Sequence, residues 1–385
     1  MILVKNCDLH SMGSVGNGRM DVLVEGGKIK KIGKELSVPA DSETIDAAGR
    51  IVTPGLVEAH CHLGMGGLAG QNVNEKTDPT IAGMRALDAV DLASEDFVRA
   101  LKTGVTTLIT GPGSSNLIGG TFIAVKAAGD NYQSRIICEE ITLKMALGEN
   151  PKLNYGKLGR SPATRMGAAA LIRDALYRAR EYREKWLAYQ QNGGDFHYDV
   201  HLHSLMRAFD GMRVKIHAHQ ADDILTAIRI AKEFDLRISI DHCTEGMLVL
   251  DEVKESGYPA LFGPTAGGKG KLELMNKTLD TPAAFECAGV ENFVLITDSG
   301  VIPMEGLLMQ AALFVKHGLS REMAMKGLTI NAALATDVAE RVGSIEEGKD
   351  ADLVIWNMHP LDTMAKPDLV MIDGKVSLKD GEVCI

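Results

Sequence analysis

The sequence predicts an α/β protein in which an eight-stranded (β/α)8 barrel, spanning residues 51–342, is flanked by a small β-sandwich. Two observations support this prediction. Apolar strand candidates alternate with amphipathic helices through the middle of the chain, as in repeated βαβ units that close into a barrel. Short β segments occupy both ends, and neither end holds enough apolar residues to fold alone. We therefore expect residues 1–50 and 343–385 to pair into one composite β-sandwich domain.

The terminal β segments are short and are separated by turn residues. At the amino-terminal end the strand candidates are residues 1–7, 20–25 and 28–33, with turn signals at Gly16-Asn17-Gly18 and Gly26-Gly27. At the other end they are residues 351–356 and 369–372, followed by the turn Asp373-Gly374.

The central region contains seven clear strand candidates: residues 51–59, 106–110, 136–146, 213–217, 237–241, 259–262 and 292–297. Residues 121–126 are either the eighth strand or part of an inserted hairpin. Amphipathic helices are predicted at residues 162–189 and 221–234, the second with Ile224, Ile228 and Ala231 on one stripe.

Composition excludes several classes of partner. A net charge of −10 over 385 residues argues against nucleic acid or an anionic membrane, because both require basic patches. No apolar run approaches the ~20 residues of a membrane helix, and the start of the chain lacks the apolar core of a signal peptide. The six cysteines form no CxxC pair, which is typical of a reducing compartment. We expect a cytoplasmic protein that acts on a small molecule.

His60 and His62 end the first central strand candidate. Alternate residues of a strand share a face, so the two imidazoles point the same way, about 6 to 7 Å apart. Two neutral imidazoles in this arrangement can bind a borderline metal ion such as zinc. Taken alone, the pair could equally be two polar residues on a solvated strand face.

Later strand candidates end in further ligand types. His217 closes residues 213–217, His242 follows residues 237–241, and Asp298 follows residues 292–297. Barrel enzymes build their sites at the carboxyl ends of their strands. The repetition of this pattern along the chain predicts a metal site at that end of the barrel.

These residues resemble those of a known family. The stretch from Val52 to His62, the segment His217-Ala218-His219-Gln220, the pair Asp298-Ser299 and the stretch from Gly343 to Leu353 together resemble the amidohydrolase superfamily, in its imidazolonepropionase-related branch. The resemblance covers nearly the whole chain. It implies a barrel flanked by a β-sandwich, one or two divalent metal ions such as Zn²⁺, hydrolysis at a carbon centre, and a homo-oligomer.

The resemblance also implies roles for individual residues. His60, His62, His217 and Asp298 would bind the first metal. Lys144 would be carboxylated and would bridge to a second metal. Alternatively, Lys144 is a solvated lysine, or Glu139 or Glu140 provides the bridge. His242 would complete the second site, or act as an electrophilic imidazole if only one metal binds.

The implied chemistry is attack by a metal-activated water, with Asp298 as general base and then general acid. Deaminases and imidazolonepropionases of this superfamily usually carry a glutamate where this chain has Gln220, and an amide transfers no proton at ordinary pH. Cleavage of a dipeptide, an N-acyl amino acid or a cyclic amide is therefore favoured over deamination. Arg165 and Gln220 are candidate substrate contacts, although Arg165 could instead pair with a nearby acid. His219 is interpreted as a surface or packing residue, although it could line the pocket, and residues 267–271 could form a lid.

Two other functions remain open at this stage. A deaminase of the same fold would release ammonia from a heterocycle. A metal-free, catalytically silent assembly protein would need none of the ligands, and the presence of every first-site ligand argues against it.

Overall fold

The computed structural model describes residues 1–67 and 70–384. Its strands, in chain order, are β1 (Ile2–His10), β2 (Asn17–Glu25), β3 (Lys28–Gly33), β4 (Glu43–Asp46), β5 (Ile51–Pro54), β6 (Leu56–Cys61), β7 (Gly66–Gly67), β8 (Gly70–Gln71), β9 (Val105–Thr110), β10 (Ile118–Lys126), β11 (Ile136–Ala146), β12 (Arg213–Ala218), β13 (Ile238–His242), β14 (Ala260–Phe262), β15 (Val294–Leu295), β16 (Leu353–Trp356), β17 (Pro367–Ile372), β18 (Lys375–Lys379) and β19 (Glu382–Val383).

The helices are α1 (Glu95–Lys102), α2 (Tyr132–Arg135), α3 (Glu149–Gly156), α4 (Arg165–Asn192), α5 (Val200–Met206), α6 (Ala221–Phe234), α7 (Leu250–Ser256), α8 (Thr281–Cys287), α9 (Gly306–Lys316), α10 (Arg321–Gly327) and α11 (Ile330–Ala335). Short 3₁₀ turns cover Ala86–Asp88, Arg207–Asp210, Gly246–Val249 and Leu272–Leu274. Among the described residues, no helix has the length and hydropathy that a membrane crossing needs.

Both ends of the chain build one sheet, with the order β19-β18-β17-β16-β5-β1-β2-β3 and β4 paired to β1. Near its far edge, an isolated antiparallel bridge joins Lys28 to Asp350, and the Ala351 N–H donates to the Gly27 carbonyl at 2.8 Å. Side chains from both halves share one buried cluster, including Val4, Val24, Leu353 and Met371. The predicted small β domain made from both termini is therefore confirmed.

A second sheet of eight strands forms the barrel, in the order β15-β14-β13-β12-β11-β10-β9-β6. It closes through a parallel bridge between Cys61 and Ser299, and the Glu58 carboxylate accepts hydrogen bonds from the Thr297 N–H and hydroxyl at 3.0 and 2.6 Å. The predicted barrel is confirmed, with one departure from a fully parallel sheet. Strand β10 pairs antiparallel with both of its neighbours, so residues 121–126 belong to a hairpin that also supplies the eighth barrel strand.

The predicted strand at residues 51–59 is two strands that belong to different sheets. β5 pairs with β1 and β16 in the terminal sheet, whereas β6 pairs with β9 in the barrel. The break falls at Gly55, where an added Cβ would lie 2.0 Å from Thr106 Oγ1. Only glycine allows the backbone to pass so close to the neighbouring strand. The terminal sheet therefore runs directly into the strand that ends in His60.

Lys126 on β10 joins the barrel to the terminal sheet through a buried ion cluster. Its Nζ lies 2.7 Å from Asp352 Oδ2, 2.9 Å from Asp350 Oδ2 and 3.4 Å from Asp373 Oδ1, and its side chain is fully buried. Removing one partner of a buried ion cluster leaves uncompensated charge, which costs about 3–5 kcal/mol. We expect Lys126→Met to lower the free energy of unfolding in urea by about that amount.

The matched control for this variant is Lys375→Met. Lys375 also joins the two sheets, through a 2.5 Å ion pair with Asp130, but both side chains are more than 60% exposed. An exposed pair contributes about 1 kcal/mol or less. Equal losses in the two variants would contradict a dominant role for the buried cluster.

Candidate metal centre

A polar cavity of about 700 Å³ opens at the carboxyl ends of the barrel strands. Its walls include His62, Ser114, Asn150, His217, His219, Lys271 and Asp298. Two groups of side chains there hold ligand atoms close enough to share an ion, and each group draws on different strands. We call His60, His62 and Asp298 the first ligand group, and His217, His219 and His242 the second ligand group.

The first ligand group combines the pair at the end of β6 with the acid that follows β15. Asp298 Oδ1 lies 3.0 Å from His62 Nε2 and 3.6 Å from His60 Nε2. Ligands about 2.1 Å from a tetrahedral zinc ion lie roughly 3.4 Å from one another. The spacing of these three atoms therefore fits ligands of a single ion.

The hydrogen bond at His62 Nδ1 determines which ring nitrogen faces Asp298. His62 Nδ1 lies 2.7 Å from the Gly111 carbonyl, which can only accept a hydrogen bond, so the ring proton is on Nδ1. In the neutral ring, Nε2 then presents a lone pair to the carboxylate. This arrangement suits a metal ion bound between Nε2 and the Asp298 carboxylate.

The second ligand group comes from adjacent strands. His217 lies on β12, His219 directly follows β12, and His242 ends β13. The ring centroids of His217 and His242 are 4.4 Å apart, and that of His219 is 4.6 and 4.7 Å from the two. The ring of His242 also lies 5.1 Å from that of His60. The two ligand groups are thus direct neighbours.

All five imidazoles are oriented by a hydrogen bond at Nδ1. Their Nδ1 partners are Asp241 Oδ2 (2.5 Å) for His60, the Gly111 carbonyl (2.7 Å) for His62, Ser114 Oγ (2.9 Å) for His217, Thr244 Oγ1 (2.7 Å) for His219 and the Gly263 carbonyl (2.7 Å) for His242. Metal-binding histidines are usually held in this way. His242 Nε2 and Asp298 Oδ1 are buried without a hydrogen-bond partner, so the donor set suits a bound cation.

The electrostatics keep the ligands in the form that binds metal. Burial lowers the pKa of His60, His217, His219 and His242, which therefore stay neutral at pH 7. Burial alone would raise the pKa of Asp298, but its contacts with His62 and the other imidazoles hold that pKa well below its usual value. Neutral nitrogens and an ionised carboxylate are the protonation states that a divalent ion requires.

Lys144 on β11 reaches the first ligand group. Its Nζ lies 3.3 Å from His60 Nε2, its side chain is fully buried, and burial lowers the pKa of its ammonium group to about 8. The neighbouring Lys215 is paired with Asp241 at 2.8 Å. Glu139 and Glu140, the alternative bridging residues, lie instead beside Arg85 and Arg207.

Asp241 was not among the residues singled out from the sequence. It is fully buried, accepts the Nδ1 proton of His60, and binds the Lys215 ammonium group. Although burial opposes ionisation, Lys215 and His60 hold the pKa of the Asp241 carboxyl well below its usual value. Asp241 therefore fixes the tautomer and the orientation of a first-group ligand.

We expect Asp241→Asn to weaken metal binding by about 10- to 100-fold, because loss of such a supporting acid typically has that effect. Competition with a chromogenic chelator measures the affinity. Asp223→Asn is the matched control: Asp223 is also a buried acid of the barrel, but its partner is Arg165. Equal weakening in both variants would indicate a general loss of stability and would contradict a specific role for Asp241.

The candidate substrate contacts Arg165 and Gln220 contact each other. The Arg165 guanidinium donates to the Gln220 side-chain oxygen and to Asp223 at 3.0 Å. Neither residue is part of the cavity wall described above. Their role in substrate binding stays a prediction. The contact between Arg165 and Asp223 corresponds to the alternative in which Arg165 pairs with a nearby acid.

His219 belongs to the second ligand group, and the sequence held a signal for this. It follows Lys215 and His217 at intervals of two residues, so all three share one strand face. Glu273 also approaches this group, with Oε1 3.8 Å from Nε2 of both His217 and His219. Nothing in the local sequence around Glu273 indicates this contact, because its loop position depends on the folded structure.

Comparisons with known proteins agree on one family. The profile of the amidohydrolase family matches residues 202–377. The amidohydrolase tasK of Hapsidospora irregularis is 28% identical over 94% of this chain, which spans only 40% of that relative's length. The imidazolonepropionase of Brucella anthropi is 26% identical, with 92% of each protein covered. The crystal structure of an amidohydrolase from Thermotoga maritima MSB8 is 37% identical, with a TM-score of 0.94 over 98% of this chain and 100% of that one.

Proposed function

Since the chain belongs to the amidohydrolase family and is a hydrolase of carbon–nitrogen bonds, we propose that it cleaves the amide bond of a small substrate with the help of divalent metal ions. The substrate class is a dipeptide, an N-acyl amino acid or a lactam-type ring. Zinc is the proposed metal, because a site of several imidazoles and one carboxylate suits it well. The proposal includes a cytoplasmic location and a homo-oligomeric state.

The observation that carries this proposal is the contact between two oriented ligand groups. The distances favour a first ion held by His60, His62 and Asp298, and a second ion held by His217 and His242. Assigning His217 to the second ion differs from the role that the family resemblance implies for it. Lys144, carboxylated, would lie between the two and bridge them.

Bound ions would supply a Lewis acid for the scissile carbonyl and a water that ionises near neutral pH. Asp298 is the proton carrier of the proposal. Its carboxylate is ionised and faces the cavity. One of its oxygens can bind the first ion while the other takes a proton from the attacking water and passes it to the leaving nitrogen. In the neutral tautomer, His242 presents a lone pair at Nε2, which supports a ligand role over that of an electrophilic donor.

Gln220 supports amide hydrolysis over deamination. Deaminases of this fold usually carry a glutamate at this position, where it protonates a ring nitrogen. Here the amide of Gln220 accepts a hydrogen bond from Arg165, and an amide transfers no proton at ordinary pH. The cavity also contains the cationic Lys271, which can pair with the carboxylate of a dipeptide or an acylated amino acid.

The test combines metal analysis with a substrate screen. The protein is purified without chelator, its metal content is measured, and dipeptides, N-acyl amino acids and cyclic amides are screened for amine release or ring opening. We expect bound zinc and hydrolysis in at least one of these classes. Ammonia release from amino-heterocycles alone would replace the proposal with a deaminase. Absence of bound metal and of any turnover would favour the silent assembly protein.

A further inference from the structure

The loop after β14 covers the second ligand group and carries one buried acid. We call residues 264–278 the lid segment. Much of this segment is exposed, including Gly267, Gly268 and Lys269, but the Glu273 side chain within it is only 1% exposed. A carboxylate is rarely buried to this extent unless it is paired or binds a metal ion.

Hydrogen bonds hold one carboxylate oxygen of Glu273 and leave the other without a partner in the described part of the chain. Its Oε2 accepts the Glu149 N–H at 2.9 Å, and its own N–H donates back to the Glu149 carboxylate at 3.4 Å. Gly148 makes room for it, since a Cβ there would lie 2.8 Å from Oε2. The other oxygen, Oε1, is buried and has no hydrogen-bond partner among the residues that the structure describes.

The open oxygen faces two imidazoles. Glu273 Oε1 lies 3.8 Å from His217 Nε2 and 3.8 Å from His219 Nε2. Both rings place Nδ1 beside a protein hydroxyl, which leaves Nε2 as the ring nitrogen that faces the carboxylate. When the hydroxyl accepts the Nδ1 proton, Nε2 is free to bind a metal ion. Lys271 Nζ lies 3.5 Å from the same oxygen and is 42% exposed, so it compensates the charge only partly.

We propose that Glu273 is a metal ligand contributed by the lid segment, which joins His217, His219 and His242 around the second ion. Three imidazoles and one carboxylate supply four donors for zinc, and the carboxylated Lys144 of the proposed function would be a fifth. The spacing of about 3.8 Å is close to that expected between ligands of one ion. This inference rests on the metal-binding part of the proposed function.

A lid carboxylate on the ion also has a consequence for access. With Glu273 in place, the protein side chains fill the coordination positions that a substrate atom would need, whereas catalytic zinc sites keep one position open. Outward movement of the lid segment would free that coordination position and open the cavity at the same time. Glu273 therefore couples the closure of the loop to the state of the second ion.

The first experiment measures metal binding without reference to turnover. The full chain is stripped with a chelator and titrated calorimetrically with Zn²⁺, as wild type and as Glu273→Gln. Glutamine keeps an oxygen that can accept the Glu149 N–H, so the loop anchor is preserved. We expect the variant to bind its second equivalent of Zn²⁺ at least about tenfold more weakly, with the first equivalent unchanged.

Glu245→Gln is the matched control. Glu245 is a buried acid that reaches the same segment through a 2.8 Å hydrogen bond from Asn276, but it accepts the Ala221 N–H at 2.8 Å instead of facing the imidazoles. Its Zn²⁺ affinity should match that of wild type. Unchanged affinity in Glu273→Gln overturns the inference and leaves the proposed function standing, whereas a wild-type chain that binds no Zn²⁺ overturns both.

A second experiment uses only the wild-type chain. Lys269 and Lys271 are exposed sites for trypsin in the lid segment. If Glu273 binds the second ion, saturating Zn²⁺ holds the segment closed and slows cleavage at these two lysines in the wild-type chain by at least about tenfold. An unchanged cleavage rate with Zn²⁺ bound overturns the inference.

Discussion

Asp298→Asn is expected to lower turnover by about 10²- to 10⁴-fold, the range typical of a lost general acid–base group. The carboxylate lines the cavity with Oδ1 3.0 Å from His62 Nε2, so its other oxygen is available to move protons beside the first ion. Asparagine has nearly the same shape but cannot accept the proton. Asp298 also has a left-handed backbone, with φ of 54°, which asparagine adopts more readily than most residues. The measurement is kcat on the substrate found in the screen.

The control for this variant is Asp280→Asn, which removes an exposed carboxylate paired with His317 on the outside of the barrel. It should retain wild-type turnover. Metal analysis of Asp298→Asn separates proton transfer from ligation, because His60 and His62 should still hold part of the first ion. Wild-type turnover in Asp298→Asn would refute its assignment as the proton carrier.

Lys144→Ala is expected to weaken binding of the second ion and to lower turnover at least about 100-fold, since losing a ligand costs more than losing a supporting residue. Only a neutral amine reacts with carbon dioxide to form a carbamate. Burial lowers the pKa of Lys144 to about 8, so roughly half of the amines are neutral at pH 8. The wild-type residue is therefore ready for carboxylation.

Chemical rescue distinguishes a bridging carbamate from a structural lysine. A short carboxylate such as acetate can enter the space left in Lys144→Ala and bridge the two ions, so added acetate should restore part of both metal content and turnover. Lys375→Ala, which removes an exposed lysine, is the control and should show no effect of acetate. Full metal content and turnover in Lys144→Ala without acetate would exclude the bridge.

The sequence was a good guide to the fold because strand and helix periods are local signals. Residues 136–146 were predicted as a strand and form β11 with the same bounds. The direction of β10 depends on the length of a connecting loop and not on a strand period. Only residues 111–117 connect it to β9, and parallel neighbours need a crossover of a dozen or more residues, so β10 has to run antiparallel. The break at Gly55 is set by the approach of Thr106, a residue far away in the sequence.

For the candidate site, residues at strand ends were accessible to sequence reasoning and supporting residues were not. His60 and His62 stand out because they end an apolar strand, and the structure brings them together with Asp298. Asp241 and Glu273 stand out only in three dimensions. The first depends on the pairing of β12 with β13, and the second on a loop that folds over the cavity. Such contacts are fixed by tertiary packing, which leaves no periodic pattern in the chain.

The direct passage from β5 into β6 has a consequence for synthesis on the ribosome. β5 lies between β1 and β16, so the sheet around it stays incomplete until residues 353–356 have been translated. Because only Gly55 separates this sheet from β6, the strand that ends in His60 gains its full support from the terminal sheet only once residues 353–356 have been made.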